Sequence, residues 1–367
     1  MTTLQLRRAS LFAVAAIAAV ALLAGVARLG IPLSVAGTRA GSHGPLFVLG
    51  AFFPLIALER AVALGSRMGY LAPFLALLGG LGLVVDVPSL RFASVLAAAV
   101  LVVMNVALWR KQPAAYLLLM LVGSVSLLAG SVAFVLNFAI SDVVLAWLCF
   151  FVLTITAERI ELARFMAPPR RAVQAVLALG FGLAGLALLA LLGGAWSIRP
   201  FGGLLALLGA WLLRYDLARR TIRQPGLPRY AAVAVLLGAG WLACSGVLVL
   251  SLGLPAAGPV YDAALHGVFV GFVLSLVFGH ALIILPAVAR TSLSFHALLY
   301  VPLLGLHAGL VARWSGDLLG LALLRQAGGL LNALSLVMFP IAVLWSRRRG
   351  LAAMTSFASR AQSSDSN

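Results

Sequence analysis

Twelve runs of about twenty apolar residues, separated by short segments that carry most of the charge, constrain this chain more than any other feature. A bilayer core about 30 Å thick takes about 20 helical residues to cross, and a backbone inside it must satisfy its own hydrogen bonds. The runs lie near residues 9–29, 44–64, 70–87, 91–109, 115–138, 141–163, 172–193, 198–217, 230–252, 260–286, 296–313 and 318–345. The expected fold class is an all-α polytopic integral membrane protein with twelve transmembrane helices. Composition agrees: 63% of residues are apolar and 10% charged, with mean hydropathy +1.13. A soluble domain runs about 45–50% apolar and about 25% charged, and disordered or coiled-coil chains carry more charge still. Residues 1–349 read as a single membrane domain, and 350–367 as a polar, disordered tail. Two arginines precede the first run, but that run is too long for a signal-peptide core and reads as an uncleaved helix.

The formal charge of +17 points to membrane topology, with no nucleic-acid partner. Twelve spans place both termini on one side. Twenty of the 26 basic residues then fall on the side of the termini, among them Arg7, Arg110, Arg219, Arg229 and Arg347. Only Arg28, Arg39, Arg91, Arg199 and Arg313 fall on the other, and Arg325 lies in the last run. The positive-inside rule makes the richer side cytoplasmic, so both termini are expected there. Cys149 and Cys244 sit deep in predicted helices, where a disulfide is not expected, and no C-x-x-C-H for covalent haem attachment occurs.

Ionisable groups inside an apolar layer are costly and mark candidate sites. They fall at two depths. The outer layer holds His43 at the start of span two and His266 in span ten, with His307 of span eleven nearer the middle. Gly44 and Gly50 follow His43, and Gly267 and Gly271 follow His266; glycine admits either a bulky planar ligand or a neighbouring helix. Asp262, one turn before His266, is placed to hold its second ring nitrogen. The inner layer holds Glu59, Glu158, Glu161, His280 and His296. His266 and His280 are 14 residues apart, about 21 Å along one helix face, so they cannot serve one metal. Each histidine also has a plain structural reading as an interhelical hydrogen bond, and Glu59–Arg60 and Glu158–Arg159 as boundary ion pairs.

Three stretches carry a resemblance: HGPLFVLGAFFPLIALERAVALG from His43, TAERIELAR from Thr156, and LHGVFVGFVLSLVFGHALIILPAV from Leu265. They resemble the NnrS-like bacterial membrane proteins and, more distantly, the catalytic subunits of haem–copper oxidases and nitric oxide reductases. The resemblance covers spans two, six and ten. It implies that His43 and His266 are the axial ligands of a b-type haem near the outer face of a bacterial inner membrane. It also implies handling of nitric oxide or related nitrogen oxides, with a quinol or periplasmic electron donor and a small gaseous substrate. The departures are specific. Residues 264 and 268 are Ala and Val, where the oxidase pattern has a second span-ten histidine, and span six offers Glu158 and Glu161 in place of copper-binding histidines. A haem–copper binuclear centre cannot be built from these residues.

What the inner layer forms stays open at this point. Glu59, Glu158 and His280 suit a second metal, non-haem iron or copper, and would then be catalytic. His280 or His296 suits a second haem, with His307 a further candidate metal ligand. The carboxylates equally suit a proton path. Beside the haem redox protein stand a proton-coupled secondary transporter with twelve spans and a haem- or copper-binding assembly or sensor protein without turnover.

Overall fold

The computed structural model describes residues 2–31, 33 and 37–364, excluding the side chains of residues 37, 38 and 348–364. Among the described residues every regular element is helical. Twelve helices are long and apolar enough to cross a membrane: α1 Thr3–Arg28, α2 Arg39–Leu64, α3 Arg67–Val85, α4 Pro88–Lys111, α5 Ala115–Val135, α6 Ile140–Met166, α7 Arg170–Leu191, α8 Ala195–Tyr215, α9 Leu227–Leu252, α10 Pro259–Ala289, α11 Ala297–Leu318 and α12 Ala322–Arg347. The protein is a multi-pass membrane protein. Its surface supports this, because large apolar side chains such as Phe12, Phe74, Leu192 and Leu323 stand exposed, as lipid-facing groups must. Each of the twelve expected spans has its helix. α1 starts six residues and α2 five residues before the expected bounds, and α11 runs five residues further than expected, which carries Arg313 from the last position of its expected span into the body of the helix. The last helix continues to Ser364, through most of the segment read as a disordered tail; residues 365–367 lie outside the described residues.

Helix packing follows the small residues, as it does where lipid removes any hydrophobic drive between helices. A Cβ on Gly202 or Gly209 of α8 would strike the backbone of α9, and one on Gly246 of α9 would strike α8. Gly309 and Gly328 do the same for α11 and α12, whose tight turn uses Gly320 at φ 71°. α6 is the most deeply buried helix, followed by α2 and α10. The three helices at the centre of the bundle are therefore those that carry His43, Glu59, Glu158, His266 and His280.

Two of these three are not regular α-helices. Leu46–Phe52 of α2 and Gly267–Leu274 of α10 are wound as π-helix, each starting within three residues of a histidine. In α2 the cause is local. Pro54 has no N–H to give, and Phe53 N–H reaches back five residues to Val48 O. Such widened turns are costly and concentrate at functional sites.

Candidate functional site

His43 and His266 meet. Their ring centres lie 6.2 Å apart and their planes 14° from parallel. Nδ1 of His43 is 2.8 Å from the Ala21 carbonyl of α1, and Nδ1 of His266 is 2.8 Å from the Asp262 carbonyl. A carbonyl only accepts, so each Nδ1 carries the proton and each Nε2 presents a lone pair. No described residue hydrogen-bonds either Nε2, and both rings line one cavity. This is the state of a metal-ligating imidazole, one nitrogen fixed by the protein and the other free to coordinate. An ion held on both Nε2 atoms at about 2 Å would need the ring centres about 6 Å apart once the ring radii are added, a length that the observed spacing matches.

The cavity spans about 1130 Å³, its mouth included, and lies among α1, α2, α6, α10, α11 and α12. Phe47, Phe52, Phe269 and Leu265 make its walls apolar, and Phe47 packs edge-on to His43 at 5.3 Å. Arg28 and Arg313 bring positive charge to it. Arg313 donates two hydrogen bonds to Asp262, at 2.7 and 2.9 Å, so the Asp262 carboxylate serves Arg313 while its backbone carbonyl orients His266. The expected contact of the carboxylate with His266 exists only at 3.4 Å.

The glycines divide. Gly44 borders the cavity with nothing near its missing side chain, whereas Gly50 packs on Ile17 and Gly80, Gly267 on Ser245 and Trp314, and Gly271 on Trp241 and Leu310. The glycine that matters most to the site is Gly25 of α1, which the sequence reading passed over. A Cβ there would overlap the His43 ring. The start of α2, just before His43, is tied down by Arg39, which pairs with Asp86 at 2.9 Å; Arg91 bonds the same carboxylate at 2.8 Å. Asp86 lies outside the spans, and Arg39 and Arg91 hold its carboxyl below the usual carboxylate range. The tie is therefore present at neutral pH and is lost only as pH falls through that lowered value.

The remaining candidates do not gather into a second site. Among the described residues no group of three or more His, Cys, Asp or Glu side chains is arranged to hold a metal. Glu59 and Glu158 both bind Arg60, each at 2.9 Å. His280 is elsewhere: its Nδ1 meets the Leu276 carbonyl and its Nε2 accepts from Arg159 at 2.9 Å, which leaves no free nitrogen. The set of Glu59, Glu158 and His280 expected as a metal centre is thus divided between two arginines: Arg60 of α2 takes both glutamates and Arg159 of α6 takes His280. His307 spends both nitrogens on Trp241 and Ser275. His296 caps the start of α11, accepting from Leu298 N–H, and packs edge-on to Trp345. Cys149 and Cys244 are both free thiols.

Arg159 also forms two 2.7 Å bonds with Asp216, which in turn accepts from Ala218 N–H. Asp216 is fully buried at the end of α8, and the sequence reading gave it no role. The network pins α6, α8 and α10 together.

Residues 7–348 match the model of a family described as a domain of unknown function (DUF8744), so the chain belongs to that family. No curated protein matches the chain.

Proposed function

For this DUF8744 member we propose a haem-binding membrane redox protein in which His43 and His266 hold one b-type haem between them. The observation that carries the reading is the pair itself: two imidazoles 6.2 Å apart, nearly parallel, each with Nδ1 fixed on a carbonyl and Nε2 left to the cavity. The surroundings suit the same occupant. Apolar aromatic walls match a flat macrocycle, and Arg28 and Arg313 match its acidic side groups. Without C-x-x-C-H the group would be held by coordination and packing alone.

A haem held by His43 and His266 would supply one-electron transfer. The chain's own residues do the rest. The Ala21 and Asp262 carbonyls hold both tautomers, Phe47 and Phe269 keep water from the ring edges, and Gly25 leaves room for His43 to stand upright. Handling of nitric oxide or related nitrogen oxides is the broader form of the reading and rests on the resemblance. In that form a quinol or periplasmic donor supplies electrons, and a small gas arrives through lipid. The charge asymmetry of the loops supports a bacterial inner membrane orientation with both termini cytoplasmic and the histidine pair in the outer half.

The test is the optical spectrum of the purified protein, oxidised and dithionite-reduced, with a pyridine haemochrome assay. A sharp reduced α-band of b type is expected, and colourless protein from haem-replete cells would overturn the reading. Two variants sharpen it. Glu158→Gln should leave the band unchanged, because Glu158 belongs to the Arg60 cluster. Gly25→Val should weaken haem retention about 10–100-fold, the usual cost of disturbing a ligand's support, as read by loss of haem to an apo-acceptor.

A further inference from the structure

At the end of the bundle that carries the N-terminus, far from the histidine pair, two arginine-rich segments meet. Residues 164–171 cover the junction of α6 and α7, and residues 214–220 cover the end of α8 and the turn after it. Arg159 clamps α6 to Asp216 in the second segment, and Trp211 Nε1 of α8 donates to the Ala172 carbonyl at 2.8 Å. Arg220 Nη1 reaches across to the Phe165 carbonyl at 3.5 Å. The fold thus brings Arg164, Arg170, Arg171, Arg214, Arg219 and Arg220 to one surface, all of them exposed. Among the described residues none of them forms an ion pair. What they touch is neutral. Arg164 lies over the Phe165 ring and Arg214 over the Tyr215 ring, while Arg219 and Arg220 donate to the Arg214 and Phe165 carbonyls.

The acids nearby do not offset this charge. Asp216 is buried on Arg159, and Glu161 shares a cleft with Arg164 without pairing with it. Arg170 and Arg171 open α7, whose first turn has no acid, so two cations stand at the positive end of a helix. Guanidiniums gathered without a counter-charge on the chain attract an anion. The surroundings decide which kind. Leu162, Phe165 and Leu213 stand exposed next to Arg164 and Arg214. The cleft beside Arg164, about 720 Å³ with its mouth, runs between α5, α6 and α7 and is walled by Ile160, Pro168 and Val173. A soluble anion would use the guanidiniums and leave the apolar groups idle, whereas a phospholipid uses both. We propose that this surface binds an anionic phospholipid, its phosphate held by arginines of both segments and an acyl chain lying in the cleft. Membrane topology asks only for positive charge in each loop. It does not ask that two loops be joined and left free of acids. The site is independent of what fills the histidine cavity, so a failed haem assay leaves it standing.

Native mass spectrometry of the full chain in detergent, titrated with phosphatidylglycerol or phosphatidylcholine, tests it. The wild type is expected to retain phosphatidylglycerol in preference to phosphatidylcholine. Combining Arg164→Gln, Arg171→Gln and Arg220→Gln should weaken that retention about 100-fold. Combining Arg67→Gln, Arg110→Gln and Lys111→Gln removes the same charge from exposed positions at the same end of the bundle and should leave retention as in the wild type. Equal loss in the two variants would overturn the proposal, because charge count and not a site would then govern binding. So would equal retention of the two lipids, or displacement of phosphatidylglycerol by inorganic phosphate. Should the first variant fail to fold, phosphatidylglycerol with a photoreactive acyl chain decides on the wild type. Label in the α5–α7 cleft is expected, and label confined to other helices sinks the site.

Discussion

Either His43→Ala or His266→Ala is expected to abolish the low-spin haem spectrum completely, with no partial retention from the remaining histidine. Each ring sits on a different helix, α2 or α10, and each is oriented by a carbonyl bond that does not depend on the other. Removing one leaves a single-ligand site in an apolar cavity with no replacement donor, since His280, His296 and His307 already spend their ring nitrogens on Arg159, Leu298, Trp241 and Ser275 or lie in other parts of the bundle. Imidazole added to the medium should restore part of the spectrum in His43→Ala, because the space vacated is the size of the ring it replaces. His307→Ala is the control. It strands the Trp241 N–H, while Ser275 keeps its bond to the Ala234 carbonyl and loses only the ring N–H it accepts, so it should cost about 1–3 kcal/mol of stability and leave the spectrum as it was. A low-spin spectrum that survives both His43→Ala and His266→Ala would remove the ligand assignment.

Asp216→Ala is expected to be the most destabilising single change at the opposite end of the bundle. It leaves Arg159 with a buried, unpaired guanidinium and removes the acceptor of Ala218 N–H. Breaking one side of a buried ion pair costs about 3–5 kcal/mol. The double variant Arg159→Met with Asp216→Leu should recover a large part of that loss, because apolar residues of similar size often replace buried pairs at little cost. Thermal unfolding in detergent measures both. A small effect of Asp216→Ala would mean that water or lipid headgroups reach the pair and that it does not hold α6, α8 and α10 together.

The architecture was legible in the sequence because lipid imposes it. A run of apolar residues long enough to cross a bilayer has one way to satisfy its backbone, and each of the twelve runs has a helix within a few residues of its expected bounds. The pairing of His43 with His266 came from the resemblance, and the structure brings the two rings together. What the sequence did not carry was register. The π turns in α2 and α10 rotate the following side chains by an amount that periodicity assumes to be zero, and only Pro54 hinted at one of them. Partner choice was the second gap. Adjacent charges, Glu59–Arg60 and Glu158–Arg159, look alike in sequence, yet Arg60 gathers both glutamates while Arg159 turns to Asp216 and His280. Arg313 and Asp216 lay at or near expected helix ends and so read as boundary residues. Gly25 gave no signal at all, because its role is to leave space for a residue on another helix.

The central claim is that two nearly parallel imidazoles share one haem iron, and low-temperature electron paramagnetic resonance of the oxidised, haem-loaded protein tests it most directly. Imidazole planes only 14° apart act on the iron along a common direction and should give a rhombic low-spin ferric signal, which His43→Ala and His266→Ala each remove. A high-spin ferric signal in the wild type, showing an iron with an open axial position, would contradict the account.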